Sequence, residues 1–124
     1  MNDPTIVIQV STRYLPDHLP ENSTQYAFAY QITIINQSSD TVQLINRYWN
    51  ITDANGKSSE VQGSGVVGKQ PVIKPGEQFQ YTSGAILDTP VGNMQGYYEM
   101  QASDGSLFRA PIDVFRLAVP NVIN

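Results

Sequence analysis

The sequence predicts an all-β domain, an antiparallel sandwich or barrel of about seven to eight strands. Three observations carry that expectation. Stretches of alternating apolar and polar residues recur along the chain, the period of a strand with one face buried. Turn residues separate them at short intervals. No apolar run of helical period extends beyond a turn or so. At 124 residues the chain reads as a single domain spanning 1–124, long enough to bury a core without staples.

Ile6, Ile8, Val10 and Thr12 alternate with Val7, Gln9, Ser11 and Arg13, giving a first strand over 6–14. Pro16 and Pro20 interrupt it, so 15–23 is a loop, and the single histidine, His18, lies there. The strongest alternation runs over 25–36, with Tyr26, Phe28, Tyr30, Ile32 and Ile34 on one face. A polar turn at 36–40 leads to a strand over 42–52 that sets Ile45, Arg47, Trp49 and Ile51 in one phase. Trp49 stands where an immunoglobulin-like sandwich keeps its core tryptophan, without cysteines for the usual inter-sheet disulfide. Asp53-Ala54-Asn55-Gly56 predicts a tight hairpin centred on Asn-Gly, with both residues at positive φ. A short strand over 58–61 returns from it. Pro75-Gly76 is a turn, 78–83 a strand and 88–92 a loop; 94–102 is a strand with Tyr98 and Met100 in phase. Asp104-Gly105 signals a second hairpin. The return over 107–112 is interrupted at Pro111 and extended by 115–117, and the tail from Pro120 is loose.

The stretch from Val61 to Gly84 is different. Gly63, Gly65, Gly68, Pro71, Pro75 and Gly76 crowd into it, so main-chain geometry fixes its path. Gly63 to Gly68 matches Gly-x-Gly-x-x-Gly, which in a dinucleotide fold turns a strand into a helix whose N–H groups meet a pyrophosphate. Pro71 and Pro75-Gly76 forbid that helix, so no coenzyme cradle is expected.

Two readings of this loop stay open. In one, the amides of Gly63, Gly65 and Gly68, with Lys69, hold a small anion such as pyrophosphate or a nucleotide. In the other, the glycines only shape the loop, and it is a contact surface with Arg47, Tyr48, Val66 and Val67 as candidate contacts. Arg47 is expected to stack on an aromatic ring, lie at the sandwich rim or cap the loop's carbonyls. Exposure of Tyr26, Tyr30 or Tyr97 beside the loop favours the second reading.

Composition narrows the function classes. The net charge is −4 with no run of Lys or Arg, so nucleic acid and anionic membrane are not expected partners. The chain has no cysteine, which removes disulfides, thiolate metal sites and a cysteine nucleophile. No Gly-x-Ser-x-Gly elbow accompanies His18, and one histidine with carboxylates is a poor zinc set. No catalytic residue, metal site or cofactor is expected, and the chain reads as a non-enzyme. No signal peptide or apolar span is visible at the sequence level, so the expected location is the cytoplasm. Open sheet edges admit a homodimer.

The motifs NRYWNITDANG (46–56), VQGSGVVGKQPVIKPGEQFQYTSG (61–84), TPVGNMQGYYEM (89–100), DGSLF (104–108) and FRLAVP (115–120) resemble, in this order, the bacterial ApaG family. The resemblance covers nearly the whole chain and implies a fibronectin type III-like β-sandwich. It implies an association with a neighbouring diadenosine-tetraphosphate hydrolase gene and with cobalt resistance and magnesium efflux. Related eukaryotic domains attached to an F-box protein and to a DNA-polymerase-interacting protein imply protein recognition. Gly63, Gly65 and Gly68 fall on the family's glycine motif and its suggested pyrophosphate role. Tyr48 stands where the family often has histidine, which weakens a metal or acid–base site there; Lys69 favours an anion.

Overall fold

The computed structural model describes residues 3–121. Among them the regular elements are eight β-strands and no helix: β1 (Ile6–Tyr14), β2 (Tyr26–Asn36), β3 (Val42–Asp53), β4 (Ser58–Ser64), β5 (Val72–Ile73), β6 (Gln78–Leu87), β7 (Val91–Gln101) and β8 (Leu107–Ala118). They form two antiparallel sheets. One has the order β1-β2-β6; the other runs β4-β3-β7-β8, with β5 also on β3. This is the β-sandwich that the alternating pattern predicts. The expectation of a loose tail falls, for residues 122–124, outside the described residues.

Register explains why the pattern was readable. β1 pairs with β2 so that Ile8 faces Ile34 and Val10 faces Ile32. β2 pairs with β6 so that Ile32 faces Tyr81 and Phe28 faces Ala85. Each apolar row therefore falls on one side of its sheet, as a period of two requires. The inner faces meet around Trp49, whose ring is packed edge-on by Tyr30, Tyr98 and Phe115 at 5.4, 6.3 and 5.7 Å. Its indole N–H has no hydrogen-bond partner.

Buried Asn36 closes the end of β2. Its amide donates to the Asp40 and Ile73 carbonyls at 2.7 and 2.9 Å, while its Oδ1 accepts from the Ser38 amide and hydroxyl. One side chain thus ties β2, the following turn and β5 together.

Three expectations need correction. Ile45 does not share the inward phase of Trp49: a bulge between Leu44 and Asn46 shifts the register against β7, so Val42 and Leu44 face the core before it and Trp49 after it. Asn55-Gly56 is not a two-residue hairpin. Gly56 donates to the Asp53 carbonyl, Asp53 pairs with Lys57, and only Gly56 of the two central residues has positive φ, giving a three-residue loop that ends in a left-handed glycine. β8 does not break at Pro111. Pro111 lies within the strand opposite Tyr97, tolerated because β8 is a sheet edge where a missing N–H leaves no ladder bond unmade.

Candidate functional site

Opposite the bulge in β3, the chain leaves the sheet and comes back. Ser64 pairs with Asn46 at the end of β4, and Val72 pairs with Gln43 at the start of β5. Both strands lie on one edge of β3, and residues 65–71 project between them as an outgrowth. The bulged Ile45 holds its two ends: its carbonyl accepts from the Gly65 amide at 2.8 Å and from Gln70 Nε2 at 3.0 Å.

The outgrowth is itself a two-residue hairpin. Val66 donates to the Lys69 carbonyl at 2.8 Å and Lys69 donates back to Val66 at 2.9 Å. The central pair, Val67 and Gly68, has φ of +43° and +79°. Positive φ at both central positions is the geometry of a type I′ turn, whose first position favours asparagine, aspartate or glycine. Here it carries valine. A β-branched residue in the left-handed region is a true outlier, and its side chain is 54% exposed at the tip. Its neighbour points the other way: Val66 is 1% exposed and belongs to the core. The expectation of Val66 as a surface contact is thereby corrected, since the turn buries it as the anchor of the hairpin.

Each motif glycine has its own structural reason. A Cβ on Gly65 would lie 2.3 Å from the Lys69 carbonyl oxygen, so close main-chain approach excludes any side chain. Gly68 has open space around it and is required by its positive φ alone. Gly63 seats the Arg47 guanidinium, whose atoms would lie 3.0–3.1 Å from a Cβ. Arg47 Nη1 donates to the Ser64 and Gly65 carbonyls at 3.0 and 2.9 Å. Arg47 therefore caps the loop's carbonyls, one of its three expected roles.

The anion expectation meets the following geometry. The amides of Gly65, Val66 and Lys69 are spent on the fold's own bonds. Of the amides in the turn, those of Val67 and Gly68 remain free of such bonds, with the exposed Lys69 beside them.

Behind the loop the sheets share a polar seam. Tyr81 and Tyr98 join their hydroxyls in a buried hydrogen bond. Burial raises the phenols of Tyr30, Tyr81 and Tyr98 above the ordinary tyrosine value, with the nearby Arg47 charge pulling the other way. These groups stay neutral at physiological pH.

In front of the loop, on the outer face of the larger sheet, lies a cleft of about 450 Å³ whose lining includes Arg47, Tyr48, Gly63, Ser64, Tyr97 and Glu99. Tyr48 and Tyr97 stack with ring centroids 5.0 Å apart. The Arg109 guanidinium lies 4.2 Å over the Tyr97 ring, and Asn46 Nδ2 donates to Glu99 at 2.8 Å. Tyr97 is thus half-exposed beside the glycine loop, while Tyr30 is buried. Residue spacing could not reveal this ledge, because Tyr48 and Tyr97 meet only through the β3–β7 register. His18 lines a separate cleft with Leu15, Phe28, Ile51 and Ile86. Among the described residues no three His, Asp or Glu side chains cluster closely enough to hold a metal ion, and no helix is long and apolar enough to cross a membrane.

Comparison with known proteins gives concordant results. The ApaG domain family matches residues 16–102. The chain is 52% identical over its full length to Protein ApaG of Sodalis glossinidius and of Escherichia coli, covering 99% of each. It superposes on a crystal structure of an ApaA protein from Bordetella pertussis with a TM-score of 0.91 at 43% identity, covering 96% of this chain and 97% of that one. A protein from Archaeoglobus fulgidus, at 7% identity and a TM-score of 0.58 over 95% of this chain and 100% of that one, shares the fold alone.

Proposed function

The chain belongs to the ApaG family, and from that premise we propose that it is a non-enzymatic docking module that presents the Val66–Lys69 hairpin and the neighbouring Tyr48–Tyr97 ledge to a protein partner. The observation that carries this reading is Val67. It is a strained, half-exposed apolar residue at the tip of a hairpin that is otherwise fixed by Ile45 and Arg47. Left-handed backbone for a β-branched residue costs roughly 1–3 kcal/mol, and a surface turn gains nothing from keeping it unless the side chain is used. The stacked tyrosines supply the kind of rigid amphipathic area that interface hot spots use.

A photocrosslinking amino acid at Lys69 tests the reading in extracts of the host cell. The expected result is a discrete adduct that excess unlabelled protein competes away and the Val67→Asp protein does not. Equal competition by both proteins, or no discrete adduct, refutes it.

A second reading rests on the two free amides at the tip. Val67 and Gly68, with Lys69, would contact a small anion such as pyrophosphate. Titration with pyrophosphate should then shift the Val67 and Gly68 amide resonances saturably, and stationary resonances at millimolar ligand remove it.

A further inference from the structure

The outer face of the β1-β2-β6 sheet is almost free of charge. Its central rows are Gln9–Thr33–Gln80 and Ser11–Gln31–Thr82, and of all the side chains that β1, β2 and β6 turn outward, Arg13 alone is charged. This is unusual placement for a chain with eleven acidic and seven basic residues, which concentrates those charges elsewhere. Depletion of charge is what distinguishes the centre of an interface from ordinary surface.

The edge of that face shows the same property. β6 is ten residues long, pairs only with β2, and has no charged residue and no proline. Among the described residues, none between Gln78 and Leu87 exchanges a main-chain hydrogen bond with anything beyond that sheet. Natural sheet edges normally carry a lysine, a proline or a covering segment that blocks pairing. The other edges of this protein follow that rule. β4 carries Glu60, β8 carries Arg109, Pro111, Asp113 and Arg116, and β1 has Arg13 and packs against β8. β6 has neither a charged residue nor a proline; Leu15 and His18 of the β1–β2 loop approach only its C-terminal half, where Ile86 is still 51% exposed.

We propose that β6 pairs antiparallel with β6 of a second copy of this chain, joining two three-stranded sheets into one sheet of six across a two-fold axis. The occupant is a second copy for a reason of charge. Two chains of net charge −4 repel at most of their surface. In a two-fold interface each strand also meets its own sequence, so like charges on it would be brought close together and would destabilise the pair. β6 and the face beside it are where self-contact brings no like charges together. A partner recognised through opposite charge would instead be drawn to the acidic regions. This inference is independent of the docking role assigned to Val67, which lies on the other sheet.

Sedimentation of the full chain over a wide concentration range, with hydrogen exchange of the β6 amides, tests it. The expected result is a monomer–dimer equilibrium in which β6 amides become protected as concentration rises. Gln80→Lys with Thr82→Lys, both at exposed outward positions, should raise the dimer dissociation constant at least about tenfold through like-charge contact, with circular dichroism unchanged. Ser59→Lys on β4 and Val67→Asp should leave it unaltered. A monomer at every concentration overturns the proposal. So does a dimer indifferent to the β6 lysines, or a monomer whose β6 amides are protected only by an added uncharged peptide, which would make the occupant another chain.

Discussion

Replacing Val67 by asparagine should stabilise the protein, although it removes an apolar side chain from a folded domain. At φ +43° the valine holds a backbone conformation its branched Cβ resists, at roughly 1–3 kcal/mol. Asparagine is several-fold enriched in this region and is favoured at this turn position. Against that gain stands lost burial. Full burial of a valine is worth about 1.5–3 kcal/mol, but Val67 is 54% exposed, so roughly half of that or less is at stake, and the asparagine Cβ and amide recover part of it. The net expectation is about 1 kcal/mol of added stability. With a typical urea slope of about 2 kcal/mol/M this moves the midpoint up by roughly 0.5 M at unchanged slope, and the melting temperature rises by about 4 °C. The same substitution should abolish competition for the crosslinked partner at Lys69. A midpoint that stays put or falls, with the hairpin intact by NMR, refutes the argument that strain at this tip is retained for contact.

Further expectations follow from the same geometry. Gly65→Ala should destabilise by more than Gly68→Ala in urea unfolding, because the first meets the Lys69 carbonyl at 2.3 Å while the second meets open space and costs only the left-handed penalty of about 1–2 kcal/mol. Asn36→Ala should cost about 2–3 kcal/mol, since it strands the buried Ile73 carbonyl and unties the Asp40 carbonyl; a loss under about 1 kcal/mol in the same assay contradicts this. Hydrogen bonds from the Ser103 hydroxyl and amide hold the Asp40 carboxyl below the usual carboxylate range. A carboxyl lowered in the folded state adds stability that is present above its unfolded value, about 3.9, and lost as pH falls through the folded one. Ser103→Ala should therefore raise the Asp40 value seen by NMR, and its stability deficit should be full at neutral pH and narrow below about pH 4.

The strands and the core were legible wherever burial follows a period of two. Phe28, Tyr30, Ile32 and Ile34 lie inward as the alternation required, and Trp49 sits at the centre of the sandwich. The prolines behind the glycine motif were equally informative, because a residue that cannot donate within a helix excludes one whatever the surroundings. What stayed hidden depended on partners distant in sequence. The bulge at Ile45 exists because the outgrowth at 65–71 hangs from its carbonyl, so no local pattern in β3 could announce it. The turn chemistry misled in two places for one reason. Asn55-Gly56 has the residues of a type I′ turn but not its conformation, and Val67-Gly68 has the conformation without the residues. Bonds that the Asn55 and Lys57 amides donate to the Asp53 carboxylate settle the first; Arg47 and Ile45 hold the ends of the second. The site was legible as a place, and Arg47 as its cap. Val66 was not legible as core, because only the hairpin's reversal sends one of two adjacent valines inward and the other out.

Amide hydrogen exchange across residues 63–69 tests most directly whether this segment is a pinned hairpin presenting its tip. The account predicts slow exchange at Gly65, Val66 and Lys69, whose N–H groups are held at 2.8–2.9 Å by Ile45, Lys69 and Val66, and fast exchange at Val67 and Gly68. Uniformly fast exchange through the segment, or protection at Val67 and Gly68 in the isolated protein, would contradict it.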